Sequence, residues 1–168
     1  MKSETKQKQT ALIKEHENKN PENFERKKLI FRLLSAMVIS RVLYAVMTLV
    51  YSAVNGFLFG ATEVSAIFLT AFMGLVFSFL IYRAGMKGAA YLALGGGIYS
   101  LYVAYNDRVF LFLNTPDVFF NIMNITFVVS ILIQTIVMLF ISIDNKCNLY
   151  LGEVSAIQRE LKAWAKSK

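Results

Sequence analysis

A permanent positive charge, Arg41, interrupts an otherwise apolar stretch of the sequence, "SAMVISRVLYAVM". Because each residue of an α-helix turns by about 100°, three polar residues share the direction of this charge: Thr48, Ser52 and Asn55. The groups that such a charge can meet are a carboxylate, a lipid phosphate or a ligand. The pattern predicts a polar stripe that faces into a helix bundle, with Arg41 at its head.

A second set of polar side chains lies in the last apolar stretch, residues 118–143, on two opposite faces. Asn121 and Asn124 lie on one face, and Gln134 lies on the other with serine and threonine residues. Two polar faces indicate contacts on both sides of the helix, with a cavity or a second chain on one of them. The alternative is that the hydroxyls bond to their own helix backbone. An amide in lipid is costly, so Asn124 and Gln134 still require partners.

The depth of Arg41 in a membrane depends on where the first span begins. If residues 42–60 fill the hydrocarbon core, Arg41 lies at the inner boundary and reaches phosphate or water. If residues 33–52 fill it, Arg41 lies roughly 13 Å inside and needs a partner. We favour the boundary. We predict that Arg41 pairs with Asp144, the acid expected at that level, or with carbonyl groups there.

Catalytic side chains are missing from the interior of the apolar stretches. Intramembrane enzymes need a nucleophile with a base, paired carboxylates or metal ligands. The stretches hold no Asp, Glu, His, Lys or Cys well inside them. A proton-coupled exporter would also need a membrane carboxylate. The sequence therefore predicts no catalytic, cofactor or metal site, and no enzyme.

Four apolar stretches must position the polar residues. The chain has 168 residues, of which 56% are hydrophobic, and its mean hydropathy is +0.49. A soluble domain of this size could not cover so much apolar surface. A membrane helix needs about 20 apolar residues, and short connections favour antiparallel neighbours. We predict an all-α membrane protein, a four-transmembrane-helix antiparallel bundle with helical extensions at both ends, its spans at about 33–60, 64–82, 88–105 and 118–143.

Charge separates this transmembrane domain, residues 29–143, from two polar ends. Residues 1–28 carry eight Lys/Arg and five Glu, and residues 144–168 carry five Lys/Arg and three acids. Basic ends beside membrane helices reflect topology or attraction to anionic lipid rather than nucleic-acid binding. Because the loop with Arg83 and Lys87 is also basic, the positive-inside rule predicts that both termini are cytoplasmic.

The C-terminal region also shows a helical pattern. Its apolar residues recur at three- and four-residue spacing: Leu151, Val154, Ile157, Leu161 and Trp164. The spacing is typical of an amphipathic helix, which we expect to start after Gly152. Its apolar face can lie in the headgroup layer, with Trp164 as an interfacial anchor. It can instead cover residues 29–40 or pack on the helix of a partner.

Small residues at four-residue spacing predict close packing between helices in lipid. The second span carries one such row: Ala66, Thr70, Gly74 and Ser78. The third span carries Ala93 and a run of three glycines: Gly95, Gly96 and Gly97. These rows serve either a compact bundle within one chain or a seam with a second chain. The glycine run either packs on the second span or breaks its helix beside a substrate.

These features favour an accessory, immunity or regulatory subunit that acts through helix contacts with a membrane-protein partner. The alternative is a small homo-oligomeric channel or carrier for an anionic or lipidic substrate. Usage rich in Lys, Asn and Ile, with a single cysteine, favours a bacterial plasma membrane. In both cases the lipid bilayer surrounds the chain, and we expect no cofactor and no nucleic acid.

Overall fold

The computed structural model describes the backbone of residues 2–55, 61–106 and 117–167, with side chains at 4–54, 68–106 and 117–167. These residues are almost all helical, contain no β-strand and confirm the all-α prediction. They form six α-helices and one 3₁₀ turn: α1 (Lys2–Lys19), the turn (Pro21–Phe24), α2 (Lys27–Asn55), α3 (Ala61–Ala84), α4 (Lys87–Asn106), α5 (Val118–Ile143) and α6 (Asn145–Lys166).

Two helical stretches of the described residues are long and apolar enough to cross a membrane, Pro21–Val54 and Val118–Ile143. A third apolar stretch, Phe68–Ala84, is shorter. The spans predicted in α3 and α4 therefore stay a prediction. The bounds of α5 agree with the predicted fourth span. By contrast, α2 starts before the predicted first span, and residues 56–60 lie outside the described part.

The helix α5 lies between α2 and α4, and α3 packs on α2. Aromatic pairs give the direction of α2 against α5. The ring centroids of Tyr44 and Phe127 are 5.0 Å apart, and those of Tyr51 and Phe120 are 5.5 Å apart. Residue numbers rise along α2 as they fall along α5, so these two helices are antiparallel.

Two aspartates fix the ends of α5. The Asp117 carboxylate accepts a hydrogen bond from the Phe120 N–H at 3.0 Å, and so caps the start of α5. Asp144 has extended backbone angles and ends α5; its carboxylate accepts from the Cys147 N–H at 2.9 Å and starts α6. The last helix therefore begins at Asn145 rather than after Gly152, because the Asp144 cap starts it earlier.

The apolar face of α6 is buried against the protein. Its five buried residues are Cys147, Tyr150, Leu151, Val154 and Ile157, and the helix packs on α1, the 3₁₀ turn, α3 and α5. The sequence allows this face to lie in the headgroup layer or to pack on protein, and in the structure it packs on protein. Trp164 lies half-buried near the end of α6.

The outward faces of α2 to α5 are apolar and exposed. One side chain on each helix illustrates this: Ile39 (65% exposed), Phe72 (59%), Leu92 (71%) and Ile136 (64%). A soluble protein seldom exposes so continuous an apolar surface. Fully buried side chains concentrate instead where α6 meets the bundle, at residues such as Ile30, Ile81 and Leu151.

The turn between α3 and α4 depends on one glycine, Gly85, whose φ of 64° lies in the left-handed region. A Cβ at this position would lie 2.4 Å from the carbonyl oxygen of Leu151 and 2.6 Å from the nitrogen of Ser155. The amide of Gln158 also donates to the Arg83 carbonyl oxygen at 2.9 Å. Close approach at Gly85 therefore joins α6 to the bundle.

We expect Gly85→Ala to lower the free energy of unfolding by about 3 kcal/mol, since it combines a left-handed residue with overpacking. Trp164, the single tryptophan, provides the fluorescence signal for denaturant unfolding in detergent. Gly152→Ala is the control, because Gly152 has open space around its Cβ position and should gain helix stability. Equal stability of wild type and Gly85→Ala would contradict this account of the turn.

Candidate functional site

The side chain of Arg41 is directed from α2 into the bundle and is only 5% exposed. Its Nε and Nη2 both donate to Oε1 of Gln134 on α5, at 3.1 and 2.5 Å. The Nε2 of Gln134 in turn donates to the carbonyl oxygen of Ala93 on α4, at 2.8 Å. One chain of hydrogen bonds therefore connects α2, α5 and α4.

A fourth helix, α3, reaches the same place through Gly74. A Cβ at Gly74 would lie 3.6 Å from Cγ of Arg41, so the stem of the arginine lies against the backbone of α3. Of the other members of the predicted small-residue row, Thr70 is half-buried, and Ser78 has a buried hydroxyl with no hydrogen-bond partner in the described part. The side chain of Ala66 lies outside the described residues.

The predicted ion pair between Arg41 and Asp144 does not form. Asp144 is ten residues beyond Gln134, and ten residues rise about 15 Å along a helix axis. Its carboxylate caps α6 and lies 3.5 Å from Nε of Arg26. The pairing was wrong because it placed Arg41 level with the end of α5. Arg41 instead lies beside Gln134, about 14 Å before Ile143 at that end.

No countercharge lies beside Arg41 in the part of the chain that the structure describes. Across the side chains that the structure describes, no carboxylate is within ion-pair distance of this guanidinium. A guanidinium has five N–H donors, and Gln134 accepts from two of them. The other three have no acceptor among the described residues. Chemically, such a group can receive an anion or a carboxylate.

One hydroxyl group of the polar stripe, that of Thr48, is directed to its own helix backbone. Thr48 and Ser52 are buried with Arg41, and the Thr48 hydroxyl donates to the Tyr44 carbonyl oxygen on its own helix at 2.9 Å. The Asn55 side chain lies outside the described residues. On α5, Asn121 is half-buried, and the buried Asn124 amide nitrogen has no hydrogen-bond partner within the described ranges.

The run of three glycines does not break α4, which continues from Lys87 to Asn106. Only Gly97 packs closely: its Cβ position lies 2.5 Å from Oγ1 of Thr135 on α5. The expected packing of this run on the second span is therefore replaced by a contact with α5. Gly95 and Gly96 are exposed, and no described atom of another helix lies within 4 Å of their Cβ positions.

Gly95 lies among tyrosines on the outer side of α4. We call Tyr91, Gly95, Tyr99 and Tyr102 the Tyr–Gly face; at 100° per residue they fall within an arc of about 80°. The three tyrosines are 55%, 68% and 63% exposed. The buried residues of α4, which include Ala93 and Gly97, lie on the opposite side.

The sequence matches no protein-family model, no curated protein and no solved structure. A function for this chain therefore rests on the geometry of its own residues.

A polar cluster between α1 and α6 was not found from the sequence. His16 Nδ1 lies 2.8 Å from Oε2 of Glu153, and Nε2 lies 3.1 Å from Oε1 of Glu160. The side-chain amides of Asn20 and Asn23 donate to Oε1 of Glu153 at 3.1 and 2.7 Å. These partners are more than 120 residues apart in sequence, so no local spacing could reveal them.

The cluster shifts two pKa values in opposite directions. The hydrogen bond to Glu153 raises the pKa of His16 above 6.5, against the smaller opposing effect of burial. Burial acts to raise the pKa of Glu153, but its hydrogen bonds with His16 and Asn23 outweigh burial and hold this pKa below 4.5. The protonated imidazole and the ionised carboxylate therefore stabilise each other.

We expect the docking of α1 on α6 to weaken as pH rises through the raised pKa of His16. The stabilisation is complete below the unfolded pKa of about 6.5 and is lost above the folded value. The Glu153 contribution behaves in the opposite way, and is lost only as pH falls below about 4.5. The midpoint of denaturant unfolding, followed by Trp164 fluorescence between pH 6 and 9, should decrease more in wild type than in His16→Gln. The same slope in both would contradict the prediction.

Proposed function

We propose that the chain is a non-enzymatic, multi-pass protein of a bacterial plasma membrane, with four spans and cytoplasmic termini. In this proposal it is an accessory, immunity or regulatory subunit that docks on a helix of a membrane-protein partner. The exposed apolar faces of α2 to α5 support insertion into lipid. The basic ends and the basic α3–α4 loop support the orientation.

The observation that carries the docking proposal is the Tyr–Gly face of α4. A glycine in the middle of a helix costs about 1 kcal/mol relative to alanine. At Gly97 the close contact with Thr135 compensates for this cost, but Gly95 has no contact partner in the described chain. A second helix that approaches closely at Gly95 would supply the missing compensation.

The tyrosines support a protein partner rather than lipid at this face. Tyr99 lies twelve residues after the start of α4 at Lys87, about 18 Å along the helix. In a spanning helix, this places its exposed hydroxyl inside the hydrocarbon layer, where a polar group without a partner is costly. Acceptors on a neighbouring helix would satisfy such hydroxyls.

Crosslinking from this face tests the proposal. A photoreactive amino acid in place of Tyr99, in cells that make the protein, should give an adduct with one membrane protein. The control position is Leu132 on α5, which is 42% exposed and outside the Tyr–Gly face. Adducts with lipid alone at Tyr99, or the same protein adduct from Leu132, would contradict the proposal.

The geometry of Arg41 supports a second candidate, a homo-oligomeric channel or carrier for an anionic or lipidic substrate. Three N–H donors of a buried guanidinium have no acceptor among the described residues. In this case Arg41→Met/Gln134→Leu should abolish anion flux into vesicles while the chain stays folded. Unchanged flux would exclude a role for Arg41 in transport.

A further inference from the structure

Two cavities, a groove and a chamber, lie side by side where α2 and α3 approach the terminal helices α1 and α6. The groove has a volume of about 440 Å³ between α2 and α3. Its lining is almost wholly apolar and includes Leu34, Val38 and Phe79, with Arg83 at one end. From Phe31 to Ile39, the lining residues of α2 extend over about 12 Å of helix.

The chamber has a volume of about 510 Å³ and a different chemistry. Three basic residues line it, Lys27, Lys28 and Arg32, together with two glutamates. Phe31 and Tyr82 line both cavities, and their ring centroids are 5.5 Å apart. The apolar groove and the basic chamber are therefore adjacent, with the Phe31 and Tyr82 rings at their shared wall.

The charges in the chamber do not cancel each other. Glu17 forms an ion pair with Lys27, whose Nζ lies 3.0 Å from Oε2 of the glutamate, and Glu25 forms an ion pair with Lys146. Lys28 and Arg32 have no acidic partner among the residues that the structure describes. They are four residues apart on α2 and therefore lie on the same face, where both can approach one anion.

We propose that this composite cavity binds an anionic phospholipid of the cytoplasmic leaflet. One acyl chain lies in the groove, and the phosphate is held by Lys28 and Arg32 in the chamber. The positions of the two cavities match those of the acyl chain and the headgroup of a lipid in the proposed orientation. The groove lies on the side of the transmembrane bundle, and the chamber lies beside the terminal helices. Each basic residue near the membrane surface adds attraction for anionic lipid. This inference rests on the membrane insertion proposed above.

Native mass spectrometry of the full chain in mild detergent tests the site with phosphatidylglycerol or phosphatidylcholine added at equal concentration. We expect about tenfold tighter binding of phosphatidylglycerol. Lys28→Gln/Arg32→Gln should remove most of this preference. The control Lys162→Gln/Lys166→Gln removes the same charge from exposed positions of α6 and should keep it. Equal loss in both variants would overturn the site.

A second pair of variants tests the groove independently of charge. Ser35 lines the groove, whereas its exposed neighbour Ala36 does not. Ser35→Trp should reduce phosphatidylglycerol binding several-fold, and Ala36→Trp should not. Wild-type protein that inserts into membranes but binds both lipids equally would overturn this inference alone. Wild-type protein that does not partition into membranes would overturn the proposed function as well. A second copy of the chain bound in place of lipid would overturn the lipid assignment.

Discussion

Gln134→Leu should destabilise the protein by about 3 kcal/mol, because it leaves the buried guanidinium of Arg41 without an acceptor among the described residues. The double variant Arg41→Met/Gln134→Leu should lose less than about 1 kcal/mol, since apolar residues of similar volume then replace both partners. Arg41→Met alone should have an intermediate effect, as Gln134 keeps its hydrogen bond to the Ala93 carbonyl oxygen.

The measurement for these variants is denaturant unfolding in detergent, with Trp164 fluorescence as the signal. Gln158→Leu is the control, because it also removes one side-chain hydrogen bond to a backbone carbonyl, at a less buried position. We expect its cost to be about 1 kcal/mol or less. A double variant that is less stable than Gln134→Leu would contradict the structural account of this pair.

The double variant also separates stability from function. If it folds and loses an activity, the guanidinium of Arg41 is required by that activity rather than by the fold. If it folds and works, then Arg41 and Gln134 only connect α2, α4 and α5. The test is clean because neither side chain has an ion-pair partner among the described residues.

Gly95→Leu should weaken the complex with the partner at least tenfold without lowering the stability of the chain. A Cβ at Gly95 would meet no described atom of another helix within 4 Å, and leucine improves helix propensity by about 0.8 kcal/mol. In the complex, the same side chain would separate two helices whose backbones are in close contact. Affinity purification from source membranes, with the partner quantified against the chain, measures the effect.

Ala53→Leu is the matched control for Gly95→Leu. Ala53 is exposed on α2, so this variant adds apolar bulk outside the Tyr–Gly face. It should retain the partner at the wild-type level. Equal partner recovery with Gly95→Leu and with wild type would remove the main support for docking through α4.

The sequence predicts some elements of this structure accurately. The bounds of α5 follow from a long, mostly apolar run without charged residues between Asp117 and Asp144, and in the structure both aspartates cap helices. The apolar spacing from Leu151 onward likewise predicts an amphipathic last helix. Both depend on local composition and periodicity, which a single sequence contains.

Other features depend on tertiary contacts, which the spacing of residues along the sequence does not reveal. An acid is the obvious partner for an arginine, so the sequence directs attention to Asp144, whereas packing of α2 on α5 places Gln134 there instead. The three consecutive glycines look equivalent in the sequence. Their 100° rotation about α4 directs Gly97 to Thr135 and leaves Gly95 on the outside.

Native mass spectrometry of the wild-type particle, extracted from its source membrane in mild detergent, tests the central claim most directly. We expect the 19.0 kDa chain together with a different membrane polypeptide in a fixed ratio. A monomer, or a particle whose mass is a multiple of the 19.0 kDa chain alone, would contradict it.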